Sequence, residues 1–311
     1  MKILVVGAGA VGGYFGGRLV QAGRDVTFLV RAKRAAELKL SGLVLKSPLG
    51  NATLSDVKTV QQDQLTQHYD LIVLSCKAYD LEQAIASFAP AVGPQTLILP
   101  LLNGMQHMDV LQQRFGPEHV LGGVCLIAAT LDSERAIVHL NDLAAISFGM
   151  PGNSHQARVE AVSQALQGAQ FGANGSDNIL QLMWEKWVFL ATLAGSTCLF
   201  RAAVGDILQA PDGAQLIAAL LDECQAIAAL NGYPVGSAFT ERTRKMLFAA
   251  GSTLTASMLR DVENNAHTEA DPVLGDLIRR GGEMAHDGTR QSMLRLAYNH
   301  LKAYEARRAR G

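Results

Sequence analysis

Short unbroken apolar runs alternate with helical stretches through the first half of the chain and stop in the second. The runs KILVVG (2–7), DVTFLV (25–30), LIVLSC (71–76), TLILPLL (96–102) and HVLGGV (119–124) are continuous rather than alternating. Such runs mark strands covered on both faces, hence a parallel sheet with crossover helices. VGGYFGGRLVQAG and AYDLEQAIASFA read as two of those helices, each closing at a glycine or proline. AIVHL and AAISFG, joined through Asn141 and Asp142, predict a hairpin.

After FGANGSDN (171–178) the apolar spacing becomes helical. ILQLMWEKWVFLATLAG, AQLIAALLDECQAIAALNG, FTERTRKMLFAAG, DPVLGDLIRRGGEMA and SMLRLAYNHLKAYEARR all carry that spacing. NGYP marks a stop and turn, and Asp271-Pro272 predicts a helix start with Asp271 as cap. The expected division is an α/β domain over residues 1–175 and an all-helical domain over 176–311.

Composition narrows the function classes. With 311 residues, 49% hydrophobic and 18% charged, the chain has ample material for a core and is not disordered in composition. A formal charge of −1 argues against nucleic-acid binding. Cys76, Cys125, Cys198 and Cys224 are widely spaced, form no metal-type pattern and read as reduced thiols of a cytoplasmic protein. The apolar opening has too many glycines for a secretory signal, and eighteen uninterrupted apolar residues occur nowhere. No membrane partner is expected.

The first strand runs into Gly7, Ala8, Gly9, Ala10, Val11 and Gly12, a GxGxxG turn that opens a helix. The first glycine permits the tight turn, the second lets a pyrophosphate approach the backbone, and the third lets helix and strand pack closely. With a second strand ending about twenty residues on, the motif predicts dinucleotide binding. That strand runs into Arg31, Lys33 and Arg34, with no acid before Glu37. Cations there suit a ribose 2′-phosphate, so NADPH is favoured over NADH. The alternative is a solvated basic helix start.

Ligands in such folds bind at the carboxyl ends of the strands. Lys77 follows LIVLSC and Asn103 follows TLILPLL. Lys77 can meet ligand charge and Asn103 a carboxamide or carbonyl-derived oxygen; a surface lysine and an Asn-Gly turn are the plain alternatives. In the helical half, ILQLMWEKWVFLATLAG is apolar all round except at Glu185 and Lys186. A helix of that kind is expected to be buried, and its lysine to be paired, snorkelling or functional. In a low dielectric a lysine becomes a better proton donor to a developing alkoxide. Glu269 lies in a polar break before a helix start, where it could equally serve the helix dipole.

Together GAGAVG, Arg31, CKAYD, NGM, WEKW and SMLRD…HTEAD resemble the ketopantoate reductase (2-dehydropantoate 2-reductase) family, in order and spacing across nearly the whole chain. The resemblance implies a Rossmann-type doubly wound parallel sheet followed by a helical domain like the C-terminal domain of 6-phosphogluconate dehydrogenase, with NADPH as hydride donor. It implies that Gly7 to Gly12 hold the pyrophosphate and Arg31 the 2′-phosphate. Lys77 and Asn103 match cofactor contacts, Asn103 also lying near the substrate, and Ala129, counted back from His139, matches a backbone contact to the cofactor. Lys186 matches the proton donor, Ser257 a substrate-carboxylate contact, and Glu269 an acid near cofactor and substrate.

The chain departs from the family where ketopantoate-reducing members carry asparagines: it has Leu190, Ala194 and Leu274. Lys186, Leu190 and Ala194 share one helix face by the four-residue spacing. The leading expectation is NADPH-dependent reduction of ketopantoate to pantoate in pantothenate and coenzyme A biosynthesis. The alternative is the same chemistry on an aromatic or branched 2-ketoacid, and a third reading is a non-catalytic NADPH sensor. The expected partner is a small 2-ketoacid, with a homodimer left open.

Overall fold

The computed structural model describes residues 1–153, 155–282 and 292–310. The part of the expected helix over residues 283–285 lies outside the described residues. The chain forms two compact units, one of Met1–Leu102 with His107–Leu180, the other of Asn103–Gln106 with Gln181–Gly311.

The first unit begins with β1 (Lys2–Val6), α1 (Ala10–Gln21), β2 (Asp25–Leu29), α2 (Ala32–Ser41), β3 (Leu43–Lys46), β4 (Ala52–Leu54) and β5 (Lys58–Val60). It continues with β6 (Tyr69–Leu74), α3 (Leu81–Phe88), β7 (Val92–Pro100), α4 (Gln106–Phe115), β8 (Gly122–Leu126) and β9 (Ala129–Leu131). β10 (Ile137–His139), β11 (Ala145–Gly149), α5 (Gln156–Leu166) and β12 (Gly172–Gly175) complete it. The central sheet is parallel, in the order β5-β2-β1-β6-β7. β1 is its middle strand, with Val5 level with Phe28 on one side and Val73 on the other. The sequence expectation of a doubly wound parallel sheet covered on both faces therefore holds, and the continuous apolar runs are its reason.

The predicted hairpin does not form. β10 pairs with β3 and β9, whereas β11 pairs with β8 and β12, so the two runs belong to different sheets. The connecting residues satisfy other groups: Asn141 Oδ1 accepts from Ala128 N at 3.4 Å, and His139 Nε2 lies 3.2 Å from Leu143 O. HVLGGV splits its role, with Val120 bridging Ile98 in parallel while β8 runs antiparallel to β11. FGANGSDN also contains the short strand β12.

Helix α1 shows why the glycine-rich opening folds as it does. Interior glycines cost a helix about 1 kcal/mol each. Here a methyl at Gly16 would come within 2.6 Å of the Phe28 ring, and one at Gly17 within 3.0 Å of Leu43. The small residues thus bring α1 hard against the strands, where Phe15 and Phe28 are fully buried. Each such burial contributes about 1.5–3 kcal/mol, which outweighs the helix penalty.

The second unit contains α6 (Ile179–Phe200), whose first two residues lie in the first unit, then α7 (Val204–Ile207), α8 (Gly213–Leu230), α9 (Ser237–Leu247) and α10 (Ser257–Glu263). A π-helical turn over Asp271–Gly275 leads into α11 (Asp276–Gly281), and α12 (Met293–Arg308) follows. α8 is long and apolar enough to cross a membrane by length and composition. Its Ile217, Leu220, Leu221, Cys224 and Ile227 are buried, and its Glu223 accepts from Ser292 Oγ and from Leu294 N at 3.1 Å.

Asp271 is not the helix cap that Asp-Pro suggests. The residue before the π-turn is Ala270, already helical, and the Asp271 carboxylate instead accepts from Tyr298 Oη at 2.7 Å and Lys302 Nζ at 3.0 Å. The side chain staples the turn to α12. Ser292 does cap α12, its hydroxyl accepting from Arg295 N at 3.0 Å.

Candidate functional site

In the first unit the glycine loop has the geometry of a phosphate cradle. Gly7 sits at φ +90°, which a side chain would oppose, and its N–H donates to Leu29 O at 3.0 Å. A methyl at Gly12 would lie 2.1 Å from Ser75 Oγ and 2.5 Å from Gly7 O, so the loop closes on β6 only because that carbon is missing. A methyl at Gly9 would meet nothing within 4 Å. One glycine therefore serves internal packing and another leaves backbone open for an incoming group, the division a pyrophosphate requires. Ala8, Ala10 and Val11 carry the loop into the first turn of α1, whose N-cap is Gly9. The residues fit a dinucleotide.

The basic residues after β2 have separate fates. Arg34 is held by the protein, donating to Ala8 O at 3.2 Å, to Glu37 at 3.1 Å and to Arg135 O at 3.4 Å. It braces the glycine loop. Arg31, at the N-cap of α2, keeps a side chain that is 75% exposed; it donates to Gln83 Oε1 at 2.5 Å and lies 3.9 Å from Asp80. Lys77 starts the 3₁₀ turn Ala78–Asp80 that carries Asp80, so the fold brings the Lys77 segment to Arg31. Ala129 pairs with His139 on β10, and Ile137 of that strand would touch a methyl at Gly13. The strand of Ala129 packs directly against α1, alongside β10.

The second unit gathers the remaining residues. Along α6, residues 181, 182, 185, 186, 189 and 190 are half-buried, whereas residues 191–198 are buried. The expectation that the whole helix is buried thus fails for its first half, where Lys186 stands on a half-open stripe beside Leu182 and Leu190. Glu185 accepts from Gln181 Nε2 at 3.2 Å, and that amide also donates to Pro234 O at 3.1 Å. Trp184 stacks on Tyr233 at 5.5 Å between ring centroids. Trp187 is 1% exposed; its indole donates to Val273 O at 2.8 Å and lies under the Arg280 guanidinium. Val273 N in turn donates to Glu269 O at 3.1 Å. The residue beside Lys186 is thereby tied to the segment that carries buried Glu269.

Ser257 opens α10 and is exposed, one residue after Ala256, whose N–H donates to Thr197 Oγ1 of α6 at 3.4 Å. Asn103 belongs to this unit although it follows a strand of the other. Next to it Gly104, at φ +77°, comes so close to Pro272 that a methyl would lie 2.4 Å from Pro272 O. Asn103 and Glu269 therefore flank one contact. Thr197 donates to Leu193 O at 2.7 Å and is fully buried, and Ser196 is 3% exposed. The Thr197 hydroxyl is thus committed within the helical unit, whereas Ser196 Oγ is buried without a hydrogen-bond partner among the described residues.

Sequence reasoning missed Asp80, Gln83, Ser75 and the Trp187–Val273 bond, since each acts across long sequence separations that only the sheet order and helix packing create. The acid of CKAYD was in view, but nothing in its spacing pointed to Arg31.

Family models agree with both halves. The ketopantoate reductase PanE/ApbA model matches residues 3–153 and the corresponding C-terminal model residues 178–305. The chain belongs to the ketopantoate reductase family. A Bacillus subtilis (strain 168) protein named uncharacterized oxidoreductase YkpB is 36% identical over 306 residues, covering 98% of this chain and 99% of its own. The crystal structure of 2-dehydropantoate 2-reductase from Geobacter metallireducens GS-15 is similar at TM-score 0.86 and 25% identity, over 97% of this chain and 99% of that one. The ternary structure of a D-mandelate dehydrogenase with NADH and anilino(oxo)acetate shares the fold at TM-score 0.87 and 22% identity, over 99% of both chains. The family places this chain among oxidoreductases that act on small ketoacids with a nicotinamide cofactor.

Proposed function

We propose that the chain reduces 2-dehydropantoate (ketopantoate) to pantoate with NADPH, a step of pantothenate and coenzyme A biosynthesis, and that Lys186 delivers the proton. The observation that carries this reading is the placement of Lys186 on the half-open stripe of α6, its neighbour Trp187 bonded to the segment of Glu269. NADPH, when bound, supplies the hydride. Gly7 to Gly12 hold its pyrophosphate on open backbone and the α1 N-terminus, Arg31 meets the 2′-phosphate, and Lys77 and Ala129 contact it further along.

Lys186 stabilises the oxygen of the ketone as charge develops and gives it a proton. Ser257, at the first turn of α10, holds the substrate carboxylate. Asn103 orients the substrate, and Glu269, buried, keeps the hydrogen-bond network in one arrangement. The presence of both Lys186 and Glu269 favours an enzyme over a sensor, which needs no proton donor. Four free thiols, three of them buried, suit a cytoplasmic setting.

A second substrate reading rests on Leu190, half-buried on the Lys186 face; Ala194 and Leu274, 4% and 0% exposed, are buried rather than open there. An apolar wall accepts a branched or aromatic 2-ketoacid and gives a substrate hydroxyl nothing to bond; such unpaired groups are costly. Turnover of ketopantoate against 2-ketoisovalerate and phenylglyoxylate, each with NADPH and NADH, separates the two. A specificity constant highest for ketopantoate supports the first reading, and one at least tenfold higher for another acid replaces it.

A further inference from the structure

We infer that Asp80 limits how strongly this chain prefers NADPH over NADH, by holding a carboxylate where Arg31 meets the ribose 2′-phosphate. The inference rests on the proposed role of Arg31. Dinucleotide folds that bind NADH place an acid at the end of the second strand, where it accepts from the ribose hydroxyls. Here Arg31 follows that strand by two residues, and the next acid along the chain, Glu37, is occupied by Arg34 at 3.1 Å and Arg135 at 3.5 Å. The fold supplies another acid from a different segment. Asp80, at the end of the turn after β6, brings Oδ1 to 3.9 Å from the Arg31 guanidinium, and the same guanidinium nitrogen donates to Gln83 Oε1 at 2.5 Å.

Both charges are open to ligand, the Arg31 side chain being 75% and the Asp80 side chain 44% exposed. Arg34 adds little, because its guanidinium is spent on Ala8 O, Glu37 and Arg135 O. A 2′-phosphate on Arg31 therefore meets a like charge held near the same guanidinium. At such separations in a wet site, that repulsion is worth about three- to tenfold in affinity. A free ribose hydroxyl has the opposite relation, since it can donate to Asp80. One arginine and one acid thus pull the selectivity in opposite directions, and the chain should accept both cofactors with a modest preference.

The test is calorimetric titration of the purified chain with NADPH and with NADH, for the wild type and Asp80→Asn, at low and high salt. The expected result is NADPH binding about three- to tenfold tighter in the variant, with NADH about two- to fivefold weaker. The gain for NADPH should shrink at about 0.5 M salt, where screening is short-ranged. Equal shifts for both cofactors, or weaker NADPH binding, would overturn the inference, the latter making Asp80 a residue that merely orients Arg31. Asp80→Ser, checked by thermal melting, must give the same sign and guards against local disturbance by asparagine. Arg31→Ala tests the parent reading separately. It should weaken NADPH far more than NADH, and if neither titration changes, the 2′-phosphate assignment fails whatever Asp80→Asn does.

Discussion

Trp187→Phe removes one hydrogen-bond donor and part of one buried ring while keeping an aromatic side chain in place. The indole N–H is 2.8 Å from Val273 O, and Trp187 and Val273 are 1% and 3% exposed, so water cannot replace the lost donor without rearrangement. An orphaned buried carbonyl costs about 1–3 kcal/mol. The smaller ring adds about 1–2 kcal/mol for lost contacts and cavity. A total near 2–5 kcal/mol should lower the melting temperature of the helical unit by roughly 10 °C. Because Val273 also donates to Glu269 O at 3.1 Å, loosening it should disturb the acid's position as well. Circular dichroism melts and steady-state kinetics read the two effects. Turnover should fall about tenfold, while NADPH affinity, which we assign mainly to the glycine loop and Arg31, should stay within about twofold. A variant that melts within about 1 °C of wild type with unchanged turnover would show that the indole–carbonyl bond secures neither the fold nor Glu269.

Three further outcomes follow from the same geometry. Gly12→Ala forces a methyl 2.1 Å from Ser75 Oγ and 2.5 Å from Gly7 O; the hydroxyl can rotate but the backbone cannot, so overpacking of about 1–3 kcal/mol should accompany a tenfold or greater loss of NADPH affinity by calorimetry. Burial raises the Asp271 pKa, but hydrogen bonds from Tyr298 and Lys302 outweigh it and leave the carboxyl below its ordinary value. Its stabilisation is complete above the unfolded value of about 3.9 and is lost as pH falls through the folded one; Asp271→Asn should lower the melting temperature at pH 7, with the gap closing as pH falls below the unfolded value. Burial pushes the Cys198 and Cys224 thiols up to about 12, so a thiol reagent at pH 8 should spare both in the native protein and label all four cysteines after denaturation, by mass spectrometry.

The sheet was legible because a strand buried on both faces has to be apolar throughout, and the loop because only glycines satisfy Gly7 and Gly12. The second-unit helices were legible by period, but the burial of α6 was not. Its first half carries Gln181, Glu185 and Lys186 on the half-open stripe. Leu182, Phe189 and Leu190 on the same stripe, however, are as apolar as the buried second half, so apolarity alone did not show where the packing stops. The hairpin at Asn141 was misread because local turn chemistry is indifferent to which sheet each strand joins. Asp271-Pro272 carried a capping signal that Tyr298 and Lys302, far along the chain, redirected. The candidate chemistry was read residue by residue, but the arrangement around Arg31 was not: Asp80 reaches it only through the sheet order.

The central claim is that Lys186 gives the proton and takes no part in holding the dinucleotide. Lys186→Ala, assayed with NADPH and the best 2-ketoacid of the panel alongside calorimetric titration of NADPH, tests it most directly. Turnover should fall about 10²–10⁴-fold, with NADPH affinity within about threefold of wild type. Turnover within about threefold of wild type, in a variant whose melting curve is unchanged, would contradict the account.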